Sequence, residues 1–158
     1  MKTTLQTCGM TLLASGCLLL TAGFSRAEPI APDATAITTT AADFHKALAA
    51  GKPDQVMALL QPDALIVEGG AVQTRQEYQS EHLSADIAYA RAVPSTMRKV
   101  VVRQEGDVAW VTTTFSVTGK FHDKEINDLA AETMVLTKTP AGWRIRTIHW
   151  SSHKSPKE

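Results

Sequence analysis

Two histidines near the C-terminus have the spacing of a metal-binding pair. The segment IHWSSH, residues 148–153, places His149 and His153 four residues apart, a spacing that lets two imidazoles on one helical turn share an ion. The surrounding residues instead predict a β-strand, on which four residues of about 3.3 Å each separate the two Cα atoms by roughly 13 Å. One ion cannot readily bind both rings at about 2 Å. The pair therefore indicates no metal site unless the segment is helical.

The pairing of the last two strands offers another partner for His149. The segments AETMVLTK and WRIRTIHWSS flank TPAG, which has proline and glycine at turn positions. If the residues PA form the tip of this turn, regular pairing sets Glu132 opposite His149, on the same face as Met134 and Thr147. A slip of two residues would keep the face and change the partner. The sequence thus predicts a Glu132–His149 pair on the wall of a pocket.

Two interpretations of this predicted pair stay open. Glu132 could hold the imidazole of His149 in one tautomer, so that the other ring nitrogen acts on a ligand as a base or a donor. Either residue is then a candidate catalytic base. Alternatively, the two side chains only satisfy each other's hydrogen bonds at a partly buried position.

A helix in the middle of the chain carries a second group of polar side chains. The segment TRQE is a capping box, in which Thr74 caps the helix and Glu77 reaches back, and the helix is predicted to run to about Leu83. Tyr78 and His82 lie four residues apart on this helix and therefore share one face. Both are predicted to contact the ligand.

His82 also enters an alternative hypothesis of metal binding. If it meets His149 at the open end of the fold, His82, His149 and Glu132 form a set of two histidines and one carboxylate. The simpler interpretation is a histidine on the surface of a helix. Glu68, which ends an apolar strand before two glycines, is either a carboxylate at the rim of the pocket or a solvated side chain.

The remaining aromatic and imidazole side chains receive structural roles. Trp110 and Trp143 are predicted to supply apolar area to the core or the pocket wall. Regular alternation places Trp150 on the face opposite the predicted pocket, where it would suit a dimer interface. His45 is predicted to lie on the surface of the first helix, and His122 in a polar turn.

The first 27 residues differ from the rest of the chain. Lys2 precedes an apolar run, and SRA ends the segment at Ala27, a pattern typical of a secretory signal peptide that is cleaved after Ala27. A membrane anchor is a weaker interpretation because the run is shorter than the roughly 20 apolar residues that span a bilayer. A lipid anchor at Cys17 is weaker still. The mature protein is therefore expected to be periplasmic or secreted.

The composition of the mature chain excludes several classes of partner. The chain of 158 residues is 44% apolar and 20% charged, as expected for one globular domain. Loss of the signal peptide leaves 14 basic and 16 acidic residues, a formal charge of −2. Such a charge predicts binding neither to nucleic acid nor to membranes. Both cysteines, Cys8 and Cys17, leave with the signal peptide, so the mature chain has no thiol nucleophile.

The order of predicted elements is that of an α+β domain. Residues 28–37 read as a flexible lead-in, and Thr40 is the predicted N-cap of a first helix that ends at Gly51. A short second helix, DQVMALL, and a buried strand, ALIVEGG, precede the capped helix. Antiparallel strands follow in STMRKVVVRQ, VAWVTTTFSVTG and the two C-terminal segments, with FHDKEIND as a hairpin end or a third short strand. The helices are expected to cover one face of the sheet, and residues 154–158 to form a tail.

The chain resembles the nuclear transport factor 2-like superfamily, and within it the exported SnoaL-like domains. The resemblance covers residues 38–153 and rests on LLQPDALIVEGGAVQTRQEYQSEHL, VAWVTTTFSVTG and AETMVLTKTPAGWRIRTIHWSS. It implies a cone-shaped barrel, in which a curved antiparallel sheet wraps round the N-terminal helices and leaves a pocket at its open end. Members include ketosteroid isomerases, polyketide cyclases, dehydratases and binding domains without catalysis, and many are homodimers. The residue set of the isomerases has no match here, so no catalytic residue is transferred.

These observations predict an exported domain that binds a small apolar or carbonyl-containing molecule, without a cofactor and as a homodimer. Two alternatives stay open: an enzyme of the isomerase, cyclase or dehydratase type that uses His149 or Glu132 as base, and a non-catalytic protein that binds a metal or a partner. The residues predicted to line the ligand site are His149, Glu132, His82, Tyr78, Trp110, Met134 and Thr147.

Overall fold

The computed structural model describes residues 31–156 of the chain. The predicted signal peptide, residues 1–27, and the beginning of the predicted lead-in lie outside the described residues. Within residues 31–156, no helix is long and apolar enough to cross a membrane.

Helices and one six-stranded sheet make up the described part of the chain. The helical elements are α1 (Ala34–Ala49), α2 (Pro53–Leu59), α3 (Arg75–Glu77), a π-helical turn (Tyr78–His82) and α4 (Leu83–Ala92). The strands are β1 (Leu60–Glu68), β2 (Ala71–Thr74), β3 (Ser95–Glu105), β4 (Val108–Phe121), β5 (Lys124–Thr139) and β6 (Gly142–Lys154). Their order in the sheet is β2-β1-β6-β5-β4-β3.

The predicted α+β class is confirmed, with one difference in the sheet. Strands β1 and β6 pair in parallel, whereas the other four neighbouring pairs are antiparallel. The parallel pair is possible because the chain crosses from β1 to β6 through the helices and the β3–β5 meander. The segment FHDKEIND forms the β4–β5 hairpin, where His122 and Asp123 have φ values of 47° and 60° in a two-residue turn.

Helix α1 begins earlier than predicted. It starts at Ala34, so part of the predicted lead-in is helical and Thr40 is not its N-cap. The hydroxyl of Thr40 donates instead to the carbonyl of Ala36 at 3.0 Å, a bond that a threonine inside a helix can make. Asp33 anchors the start of the helix, because its carboxylate accepts a 2.7 Å hydrogen bond from Lys138 on β5. This bond lowers the pKa of Asp33 below its usual value.

The predicted capping box of the third helix is confirmed. Thr74 Oγ1 accepts from the backbone N–H of Glu77 at 3.3 Å, and Glu77 Oε2 accepts from the backbone N–H of Thr74 at 2.8 Å. These bonds to the backbone and hydroxyl of Thr74 lower the pKa of Glu77. The helical path continues to Ala92, beyond the predicted end, through the π-helical turn and α4.

The core lies between the helices and one face of the sheet, here called the inner face. This face carries buried side chains of β4, β5 and β6, among them Val111, Met134, Leu136 and Ile145. Phe44 of α1 packs against them and is fully buried. The opposite, outer face of the sheet is not covered by any helix of the described chain.

A β-bulge in β6 changes which residues face the core. From the turn to the pair Leu136–Ile145, the register is the predicted one. The next pair is Val135–Thr147, so Arg146 has no partner on β5 and forms the bulge. The side chain of Arg146 donates to Asp63 of β1 at 2.6 Å.

Beyond the bulge, every residue of β6 lies on the face opposite to the one predicted. Glu132 pairs with Trp150, and His149 pairs with Thr133. The predicted Glu132–His149 pair is therefore wrong, because one extra residue in a strand moves all later side chains to the other face. The sequence contained an indication of the changed register. Ile148 and Trp150 are apolar at positions that regular alternation would turn away from the core.

Candidate functional site

A cavity of about 770 Å³ opens between α1, α4 and the inner face of β4–β6. Much of its wall is apolar, with contributions from Leu48, Tyr89, Val93, Phe115, Phe121 and Trp150. The end of α4 is held close to β4 at Gly119, where a Cβ atom would lie only 3.2 Å from the carbonyl oxygen of Ala92. A cavity of this size and character suits a small organic molecule.

The first polar group of the cavity wall centres on Glu132, whose side chain is almost fully buried. Its Oε2 accepts a hydrogen bond from Trp150 Nε1 at 2.7 Å and lies 2.9 Å from His45 Nε2. The contact with His45 does not have the geometry of a hydrogen bond, so His45 Nε2 has no hydrogen-bond partner among the described residues. Among the described residues, nothing donates to Glu132 Oε1, although it is buried.

Three elements bring this group together. Glu132 lies on the inner face of β5, and the bulge in β6 turns Trp150 towards it. His45 comes from α1, where its ring contacts Phe115 edge-on with 5.5 Å between the ring centroids. The prediction of His45 as a surface residue is wrong, since it is only partly exposed and lines the cavity. Its position four residues after Ala41, on the apolar stripe of α1, was the missed signal.

A second polar group, the Glu68–His82–Asp86 cluster, lines the same cavity. It joins the end of β1, the π-helical turn and α4. His82 Nε2 lies 3.5 Å from Glu68 Oε2 and 3.3 Å from Asp86 Oδ1. One ligand atom of each residue lies within 4.8 Å of the others, so this set could hold a metal ion.

Residues behind this cluster orient it. The hydroxyl of Tyr78 donates to Asp86 Oδ2 at 2.9 Å, and His82 Nδ1 lies 2.9 Å from Gln73 Oε1. Burial is the main cause that raises the pKa of Glu68, and the charge of Asp86 raises it further. Burial also raises the pKa of Asp86, while the Tyr78 hydrogen bond acts in the opposite direction.

Burial and the neighbouring Asp86 charge raise the pKa of Tyr78 far above its usual value. Tyr78 therefore serves as a neutral hydrogen-bond donor and not as an acid that loses its proton. The predicted shared face of Tyr78 and His82 is present, with the rings edge-on and 5.9 Å between their centroids.

The structure divides the seven predicted ligand-site residues into three sets, of which two lie at or behind the cavity wall. Glu132 and His82 line the cavity, and their role in binding stays a prediction. Met134 is fully buried in the core beneath the cavity, and Tyr78 lies behind Asp86.

Three predicted site residues lie on the wrong face of the sheet. Thr147 and His149 follow the bulge and face outward, opposite Val135 and Thr133. Trp110 alternates with the buried Ala109 and Val111 on β4, so it also faces outward and does not line the cavity. The predicted metal set of His82, His149 and Glu132 is therefore not assembled.

The prediction of Trp150 on the face opposite the pocket is also wrong, because Trp150 lies on the inner face with its indole N–H on Glu132. Trp143 is buried in the core, as predicted. The two serines that follow Trp150 line the cavity beside it, but they lie outside both polar groups.

Comparison with known proteins identifies the family. The model of the SnoaL-like domain matches residues 37–154, most of the chain. The chain belongs to the SnoaL-like family. The matched range contains the cavity and both polar groups of this SnoaL-like domain. Among curated proteins, no sequence matches the chain significantly.

Solved structures place the SnoaL-like domain in the nuclear transport factor 2-like, or cystatin-like, fold. A candidate ketosteroid isomerase from Shewanella frigidimarina is 33% identical, with a TM-score of 0.71, over 73% of this chain and 94% of that protein. A candidate dehydratase of the NTF2-like family from Streptomyces avermitilis is 21% identical, with a TM-score of 0.68, over 78% of this chain and 97% of that protein. The CaMKII hub of S. rosetta is 23% identical, with a TM-score of 0.68, over 80% of this chain and 100% of that protein. The similarity to the dehydratase and to the hub shows only that these proteins share the fold of this chain.

Proposed function

We propose that the protein binds a small, mainly apolar molecule in its cavity, through a hydroxyl or another hydrogen-bond donor that reaches Glu132. The observation that carries this proposal is Glu132 Oε1, a buried carboxylate oxygen to which no described residue donates, on a residue that lines the cavity. Buried polar atoms normally have a partner, and an ionised carboxylate can only accept. The apolar wall supplies the remaining contacts. The family, which includes small-molecule-binding and isomerase-type domains, is consistent with such a role.

Three naphthalenes that differ in one substituent test this proposal. At pH 8 and with EDTA present, we expect 2-naphthylmethanol to bind about tenfold more tightly than 2-methylnaphthalene, because a hydrogen bond to a charged group contributes about 1.5–3 kcal/mol before desolvation of the alcohol. 2-Naphthoate should bind most weakly, since its carboxylate meets that of Glu132. Titration followed by tryptophan fluorescence measures all three, because Trp150 lines the cavity. Equal affinities, or the tightest binding by the naphthoate, would contradict the proposal.

We further propose that the mature protein is exported and forms a homodimer through the outer face of the sheet. The apolar segment before Ala27 supports export. Trp110, Val135 and the 40%-exposed Leu65 give the outer face apolar area, which supports association. Protein recovered from the periplasm or medium should have a mass that begins at Glu28, and light scattering should give twice the mass of that chain. An uncleaved chain would refute export through this signal peptide, and a monomer at micromolar concentration would refute the dimer.

A further inference from the structure

We infer that Glu68, His82 and Asp86 form a binding site for a divalent transition-metal ion on the wall of the cavity. The site is separate from the Glu132 group, and the inference does not depend on the proposed ligand. It rests on the convergence of one imidazole nitrogen and two carboxylate oxygens from three different elements, all within 4.8 Å of one another.

The two distances from His82 Nε2 to the carboxylate oxygens are those of neighbouring ligands around one ion, and the two carboxylate oxygens lie within 4.8 Å of each other. Nitrogen and oxygen ligands lie about 2.0–2.2 Å from Zn²⁺, which places neighbouring ligands of a tetrahedral or octahedral ion roughly 3.0–3.5 Å apart. His82 Nε2 lies 3.3 Å from Asp86 Oδ1 and 3.5 Å from Glu68 Oε2. An ion could therefore be bound with only small movements of the side chains.

The hydrogen bonds around the cluster leave the right atoms free for a metal. Gln73 Oε1 lies 2.9 Å from His82 Nδ1, so a neutral ring that donates from Nδ1 to this oxygen has an unprotonated Nε2. In that tautomer the lone pair of Nε2 faces two carboxylate oxygens. Tyr78 donates to Asp86 Oδ2 and leaves Oδ1 towards the imidazole. Partners of this kind orient the ligands in known metal sites.

The donor set and its surroundings indicate the class of ion. One imidazole and two carboxylates suit Zn²⁺, Mn²⁺ or Fe²⁺, whereas the soft sulfur ligands that select Cu⁺ are absent from this cluster. With a neutral imidazole the set carries two negative charges, which a divalent cation cancels. Three protein ligands leave coordination positions open towards the cavity, as in catalytic zinc sites.

Calorimetric titration of the protein with zinc chloride tests this inference. The protein is purified without a histidine tag, and EDTA is used to strip bound metal and is then removed. We expect one Zn²⁺ per chain, with a dissociation constant in the micromolar range or below. Cobalt(II) at the same site should give the visible absorption bands of a four- or five-coordinate ion, a signal that is independent of any organic ligand.

Variants separate this site from other zinc-binding groups on the surface. His82→Ala and Asp86→Asn should each weaken Zn²⁺ binding at least tenfold, and Tyr78→Phe by about tenfold through loss of orientation. His149→Ala is the matched control, since His149 is exposed on the outer face and should leave binding unchanged. If His82→Ala fails to fold, as judged by circular dichroism, His82→Asn replaces it.

Two results would overturn the metal site. One is the absence of zinc binding, which would mean that a proton on His82 joins the carboxylates. The other is zinc binding that survives the loss of His82 or disappears with His149. Because zinc is titrated without a naphthalene and the naphthalenes are titrated in EDTA, failure of either proposal is distinguishable from failure of the other.

Discussion

Replacing Glu132 with glutamine is expected to weaken the binding of 2-naphthylmethanol by about tenfold, which is its expected advantage over 2-methylnaphthalene. The free Oε1 of Glu132 is the acceptor that we propose for the ligand hydroxyl. A hydrogen bond to a charged group contributes about 1.5–3 kcal/mol, and every 1.4 kcal/mol changes affinity tenfold. Binding of 2-methylnaphthalene, which has no hydroxyl, should change little. The preference for the alcohol should therefore disappear in the variant.

The same substitution should leave the free energy of unfolding unchanged or raise it. Glu132 is almost fully buried, and one of its oxygens has no donor among the described residues. Taking such a charge out of water is unfavourable, and an amide of the same shape avoids most of this penalty. Higher stability with weaker binding is typical of a residue kept for function.

Urea unfolding and the fluorescence titrations measure both effects. Glu125→Gln is the matched control, because it makes the same change at an exposed position of the same strand, β5. It should alter neither affinity nor stability. Unchanged affinity of Glu132→Gln for the alcohol would refute the proposed contact, and a large loss of stability would show that Glu132 has a structural role.

Glu132→Gln also tests the alternative of an isomerase-type enzyme. With His149 on the outer face, Glu132 is the only one of the two predicted bases that lines the cavity. If the protein abstracts protons next to a carbonyl, it should speed the exchange of the α-protons of 2-tetralone in D₂O, and the variant should lose this activity. NMR follows the exchange. No acceleration by the unmodified protein, or equal acceleration by the variant, would exclude Glu132 as base for this substrate class.

Replacing Ile148 with alanine is expected to lower the free energy of unfolding by about 2–5 kcal/mol, whereas His149→Ala should change it by less than about 0.5 kcal/mol. Ile148 is fully buried on the inner face, and loss of its side chain leaves a cavity in the core. His149 is exposed on the outer face. The two neighbouring positions therefore report directly on the bulge at Arg146.

Urea unfolding of the two variants decides the register of β6. In the regular register, which lacks the bulge, His149 would face the core and Ile148 would face outward. The order of the two effects would then be reversed. A larger loss of stability for His149→Ala than for Ile148→Ala would contradict the structure, and with it the contact of Trp150 with Glu132.

Local patterns in the sequence were sufficient for the fold class and for several of its details. The capping box at Thr74 depends on residues only three apart, and TPAG sets the pairing of Thr139 with Gly142 in the last hairpin. The segment VAWVTTTFSVTG was correctly predicted as a strand and lies within β4, although Trp110 does not face the core. These features follow from backbone geometry and side-chain period, which act over a few residues. The family resemblance added the curved sheet and its helices, and the family and fold are confirmed.

Only part of the candidate site could be predicted from the sequence. Glu132 and His82 were chosen correctly as residues of the cavity wall, but both were given His149 as a partner. At the bulge, Arg146 forms an exposed salt bridge with Asp63, which lies on a different strand and far away in the chain. No rule of local alternation contains that contact. One inserted residue then exchanged His149 for Trp150 on the inner face.

By itself, the sequence determined the α+β class, the capped helix, the last turn and the strands whose apolar residues alternate, because each depends on neighbours along the chain. Only the tertiary structure decided which polar groups meet. It brought His45 of α1 to Glu132 of β5, and Glu68 of β1 to His82 and Asp86. These contacts join elements that are distant in sequence, and they depend on how the helices pack on the sheet and on where one strand is interrupted. The cavity also results from the packing of the helices on the sheet.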